Sequence, residues 1–167
     1  MSGDKNLLDK EWKIEKVRPY DDQRKKRVIV IAAPYRQEIT AMQYQGVLAE
    51  LEKAGLEHDR IDVTGALEIP AVVAHLEASS VDYYDAYICL GCIIKGETIH
   101  DEVIAYTAFK ALDELAREKL LAIGNGILTV NSLEQAEDRA NPEKQNRGGE
   151  AAKAALRMLE IKRQHGN

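Results

Sequence analysis

Residues 91–104 read Gly-Cys-Ile-Ile-Lys-Gly-Glu-Thr-Ile-His-Asp-Glu-Val-Ile, and this stretch holds the residue types best suited to chemistry in the chain. The apolar run from Tyr87 to Ile94 reads as a buried strand that breaks at Gly96. Glu97 and Thr98 make a helix start and a helical pattern follows, which sets His100 in the first helical turn. A helix start leaves backbone N–H groups unpaired, so it can hold an anion. An imidazole titrates close to neutral pH. An anion site beside a proton carrier suits acid–base chemistry on a phosphorylated substrate.

The elements around this stretch must position it. Val28 to Ala33 is a continuous apolar run of the kind found in parallel strands. Ile39, Met42, Val47, Leu48 and Leu51 recur at helical spacing, and Gly55 supplies a stop. A shorter strand is expected at about 57–63, a helix from about Pro70 to Ala78, and the third strand at Tyr87–Ile94. Ile104, Ala108, Ala111, Leu112 and Leu115 mark a long helix. A fourth strand is expected at Leu120–Gly124, a short helix at Leu133–Arg139 and a last helix at Glu150–Lys162. Strands alternating with helices imply an open parallel α/β sheet covered on both faces. Ligands of such sheets bind beyond the carboxyl ends of the strands. That edge collects Pro34-Tyr35-Arg36, Thr64 to Glu68, Lys95 to His100, and Asn125.

Bulk properties narrow the function classes. The chain has 167 residues, 45% hydrophobic and 31% charged, with a net charge of −5. This fits one ordinary domain at 27–167, preceded by a polar arm at 1–26 in which Trp12, Ile14 and Val17 alternate as in an extended segment. The arm is expected to be ordered only against something else, and its piece from Glu11 to Val17 suits addition to a neighbouring sheet. The acidic balance argues against nucleic acid and anionic membranes as partners. No run approaches the roughly 18 apolar residues of a membrane span. The charged start of the chain does not look like a signal peptide, so a cytoplasmic location is expected. Cys89 and Cys92 form a Cys-x-x-Cys pair inside an apolar strand, where they read as small buried residues on opposite faces. His58, His75 and His165 show no metal-ligand spacing.

Four separated segments then match one family. They are Gly65-Ala66-Leu67-Glu68-Ile69-Pro70, Gly91 to His100, Gly126 to Val130 with Glu134-Gln135-Ala136, and Asn146-Arg147-Gly148 with Glu150-Ala151-Ala152. In order and spacing, from about residue 27 to 162, the chain resembles the lumazine synthases. The resemblance implies a flavodoxin-like three-layer sandwich with a four-stranded parallel sheet, the arm adding to a neighbouring subunit's sheet. It implies a homo-oligomer, pentameric or larger, with active sites between subunits. The implied reaction condenses 5-amino-6-(D-ribitylamino)uracil with 3,4-dihydroxy-2-butanone 4-phosphate to 6,7-dimethyl-8-ribityllumazine, phosphate and water. It implies no metal and no organic cofactor, since imine formation, elimination and ring closure need mainly orientation and proton transfer.

Residue by residue, His100 matches the catalytic histidine of the family. A lone helical histidine is more often a surface residue; the motif around it argues for catalysis. Glu97 and Thr98, with Gly96, match the phosphate-binding loop, though a simple helix cap would use the same residues. Arg139 matches an arginine that reaches the phosphate from the adjacent subunit; its alternative is a solvated helix charge. Tyr35 stands where the family places an aromatic against the pyrimidine, or else covers the sheet edge. Ala66, Leu67 and Glu68 match the segment that binds the ribityl chain, and a plain turn at Gly65 is their alternative. Ile93, Lys95, Asn125 and Arg147 complete the implied substrate-binding set, with Arg147 in place of the commoner lysine.

Departures from the family pattern are local. Asp101 replaces an aromatic after the histidine and puts a second carboxylate beside His100, which is expected to move the pH optimum upward; Glu102 keeps the usual acid. Pro34 and Arg36 replace the commoner arginine and asparagine, and Asn125 replaces an aromatic of some members. Pro142, between the last two helices, is expected to favour a free pentamer or pentamer pair over a closed shell. Two rival readings are a lumazine- or flavin-binding relative with little catalysis, and a shell that encloses a partner such as riboflavin synthase. The retained His100, Thr98 and Arg139 favour catalysis on small-molecule substrates. A generic electron-transfer or receiver domain of the same fold would need a different phosphate loop or an acidic cluster at the strand ends.

Overall fold

The computed structural model describes residues 26–79 and 83–165. Strand β1 (Val28–Ala32) leads to helix α1 (Gln37–Lys53), and β2 (His58–Asp62) to α2 (Glu68–Ala78). Strand β3 (Ala86–Ile94) leads to α3 (His100–Glu118), and β4 (Ala122–Val130) to α4 (Leu133–Ala140) and α5 (Arg147–His165). The four strands form one sheet in the order β2-β1-β3-β4, and every pairing is parallel. The arm, apart from Lys26, lies outside the described residues, and so does its expected pairing with a neighbour.

Alternation along β1 builds the two cores. Val28, Val30 and Ala32 pack against Val47 and Leu51 of α1 and Ala152, Ala155 and Leu159 of α5. Ile29 and Ile31 face the other way, onto Ile69, Val73 and Leu76 of α2 and Leu112 of α3. The chain is therefore a three-layer α/β sandwich of the flavodoxin-like kind. Each fully buried Val or Ile contributes roughly 1.5–3 kcal/mol, so the all-buried β1 anchors the sheet. Strand β2 is half-buried throughout, as an edge strand of sequence His-Asp-Arg-Ile-Asp should be. Its charges are tied down locally: Arg60 pairs with Asp62 at 2.7 Å and lies 4.4 Å from the centre of the Tyr44 ring. Charged edges of this kind discourage unwanted strand pairing.

Three boundaries differ from the sequence expectation. Strand β4 continues past Gly124 to Val130. Its glycines look like strand breakers but mark where α5 lies against the sheet. A Cβ on Gly124 would fall 1.9 Å from the carbonyl oxygen of Ala151. Helix α5 begins at Arg147 rather than Glu150, because Asn146 Oδ1 accepts the N–H of Gly149 at 3.2 Å and caps it early. Helix α2 begins at Glu68, which places Pro70 in the first turn, where its missing N–H costs nothing. Inside the sheet, fully buried Gln43 of α1 donates through Nε2 to the carbonyls of Gly91 at 3.2 Å and Gly126 at 2.6 Å, tying β3 to β4.

Candidate active site

With all strands parallel, the loops that leave their carboxyl ends share one edge. Strand β1 feeds α1 towards β2, whereas β3 feeds α3 towards β4, so the loops after β1 and β3 part. A crevice opens at such a switch point. Here it is a pocket of about 450 Å³. Ala33, Tyr35 and Arg36 line it from the β1–α1 turn, and Thr64 to Ala66 with Glu68 from the β2–α2 turn. Cys92 to Ile94 line it from β3, and His100, Asp101 and Ile104 from α3. The turns are held to the sheet by extensions of its ladder: Ala33 N–H donates to Leu90 O at 2.9 Å and Val63 N–H to Ala32 O at 2.8 Å.

The start of α3 brings an imidazole to this pocket. His100 is its first residue, and Thr98 Oγ1 accepts the His100 N–H at 3.3 Å. Ile99 takes the N-cap position and has no side-chain oxygen, so no side chain caps the turn from that position. That leaves the positive end of a 19-residue helix open to an anion. Cys92 is a wall rather than a nucleophile: burial pushes its thiol up to about 11, partly offset by the Arg36 guanidinium. Cys89 is fully buried and is pushed up to about 12 by burial. Both cysteines are free.

The structure gathers Tyr35, Ala66, Glu68, Ile93 and His100 around the one pocket. Tyr35 lines the pocket and is 54% exposed, with its ring centre 6.0 Å from the Arg36 guanidinium carbon. Leu67, Glu97 and Thr98 sit on exposed turn positions adjoining it in sequence. Lys95 lies instead in a groove of about 790 Å³ along α3, which Ile93, Asp101 and Glu102 also line. Asn125, Arg139 and Arg147 share a third cavity, of about 340 Å³, between β4 and α5. There the Asn125 side chain accepts the Ile127 N–H at 3.0 Å, and Arg139 donates to Gln135 O at 3.4 Å. Within one chain these three residues do not meet His100. The sequence reading missed the lining role of Cys92 and Ile104. It also missed the exposed stripe Ile99, Val103 and Tyr106, whose spacing of four and three residues was available as a signal.

An open parallel sheet with a pocket at its switch point, lined by a histidine from the first turn of α3, defines an α/β protein with a crevice of small-molecule size. Comparison with known proteins makes this specific. Residues 25–163 match the family described as 6,7-dimethyl-8-ribityllumazine synthase, and the chain belongs to that family. It is 44% identical over 144 residues to the 6,7-dimethyl-8-ribityllumazine synthase of Bartonella tribocorum, covering 86% of this chain and 95% of the relative. It is 47% identical over 141 residues to the 6,7-dimethyl-8-ribityllumazine synthase 1 of Rhodopseudomonas palustris, covering 82% and 86%. No helix among the described residues is long and apolar enough to cross a membrane.

Proposed function

We infer that the chain condenses 5-amino-6-(D-ribitylamino)uracil with 3,4-dihydroxy-2-butanone 4-phosphate, yielding 6,7-dimethyl-8-ribityllumazine, phosphate and water, as a transferase of riboflavin biosynthesis. The observation that carries the reading is the meeting of His100, Tyr35 and Glu68 around one pocket at the start of α3. Tyr35 offers a face for the pyrimidine, and the 65–68 turn offers the ribityl chain its backbone and the Glu68 carboxylate. The turn before α3, with Glu97 and Thr98, receives the phosphate.

The amine of the pyrimidine attacks the ketone carbon, and loss of water gives an imine. His100 then takes a proton from the hydroxyl-bearing carbon next to the imine as the phosphate leaves the terminal carbon; the resulting enol tautomerises to a methyl ketone, which the ribityl-bearing nitrogen attacks with loss of a second water. Each step moves a proton over a short distance, which one positioned imidazole can serve. Arg139 completes the phosphate site from a second copy, since its own chain holds it in a separate cavity. Ile99, at 70% exposure, Val103 and Tyr106 provide an apolar surface on α3 suited to that copy. The proposed assembly is a homo-oligomer with a pentamer as its basic unit, and the proposed location is the cytoplasm.

An absorbance assay of lumazine formation tests this on wild type and His100→Ala. Turnover falls by about 100-fold or more while thermal unfolding is unchanged. An unchanged rate removes the imidazole from the reaction.

A further inference from the structure

We propose that Asp101 weakens the hold of the α3 turn on phosphate and so promotes its release; this rests on the phosphate-binding reading of that turn. Asp101 is the second residue of α3, directly after His100. It stands between the His100 pocket and the groove along α3 and lines both. Its Oδ1 is shielded from solvent and has no hydrogen-bond partner among the described residues. That oxygen lies 3.9 Å from the point where a side chain on Gly96 would begin. It therefore overhangs the turn whose N–H groups receive the anion.

A carboxylate that served the helix start alone would use this oxygen on a first-turn N–H. Here the oxygen is left as an unpaired acceptor, a costly arrangement for a shielded atom. Its charge is well placed to act on a neighbour it does not bond. Arg36 lines the pocket and Lys95 the groove, so each of the two cavities that Asp101 borders also holds a positive charge. Like charges several ångströms apart in a partly shielded site shift an equilibrium by about five- to tenfold. An enzyme that expels phosphate at every turnover gains from not retaining it, because product release often limits turnover.

The test uses the assembled protein, with inorganic phosphate as probe, by calorimetry and by inhibition against the phosphorylated ketone at fixed ionic strength. Asp101→Asn keeps the shape and removes the charge. Its inhibition constant for phosphate and its KM for the phosphorylated ketone fall about five- to tenfold, while the KM for the pyrimidine amine stays within about twofold. Asp101→Ser tightens phosphate in the same way, which covers the case of an Asn variant that fails to fold. Asp101→Glu keeps the charge and stays near wild type. Unchanged phosphate affinity in folded Asn and Ser variants overturns the proposal, as does a weakened KM for the amine, which would make Asp101 a direct acceptor for that substrate. In both cases an active wild type leaves the assigned reaction standing. A wild type that forms no lumazine and binds no phosphate removes the assignment and this inference together.

Discussion

Two inactive chains should rescue one another. In one chain His100 and Arg139 line separate cavities, and Arg139 is turned towards Gln135 O of its own helix. If each working site takes the histidine from one copy and the arginine from its neighbour, His100→Ala and Arg139→Ala chains carry complementary defects. Each variant alone is expected to lose about 10- to 100-fold or more in kcat/KM for the phosphorylated ketone, from the lost proton carrier or the lost charge-assisted phosphate contact. The two are co-expressed with different tags and purified through both. In equal, random mixtures, half of the sites receive a native histidine and half independently receive a native arginine. About one quarter of the sites are then intact, so specific activity returns to about 25% of wild type. Were both residues contributed by the same chain, no site in any mixture would hold the native pair. A co-assembled mixture no more active than its parents, with normal size in sedimentation, would refute the shared-site reasoning.

Other predictions concern the scaffold. Gly124→Val drives a side chain into the Ala151 carbonyl at the α5 contact, and is expected to cost about 1–3 kcal/mol in thermal or denaturant unfolding; an unaltered melting temperature would show that α5 can shift freely. Cys89 and Cys92 are expected to resist a thiol-reactive chromophore at neutral pH in the native state and to react together on unfolding, since burial raises both thiols; fast native labelling of either would contradict this. The same shift predicts a pH effect. The folded Cys89 thiol ionises near 12 against 9.0 for an ordinary thiol. Its contribution is fully present below pH 9.0 and is lost as pH rises towards 12. A Cys89→Ala variant therefore shows a shallower alkaline fall in unfolding midpoint than wild type, and identical slopes would count against the argument.

Much of this protein is written locally. The run Val28–Ala32, the helical spacing from Ile39 to Leu51 and the strand ending at Ile94 need only their own periodicity to declare themselves, because burial on two faces or one imposes a repeat. The place of His100 at a helix start is local too, since it follows from a strand, a glycine and a cap pattern within ten residues. Tertiary structure decided the rest. Gly124 and Gly126 read as breaks until α5 is laid across them, and only then does β4 reach Val130. The turns bearing Tyr35, Glu68 and His100 meet because β1 sits between β2 and β3, a fact of strand order that no nearby residue encodes. The same order carries Asn125, Arg139 and Arg147 away from that pocket. Periodicity reports which face of an element is buried; which elements then adjoin depends on packing between residues far apart in the chain, and there the surfaces of whole layers decide.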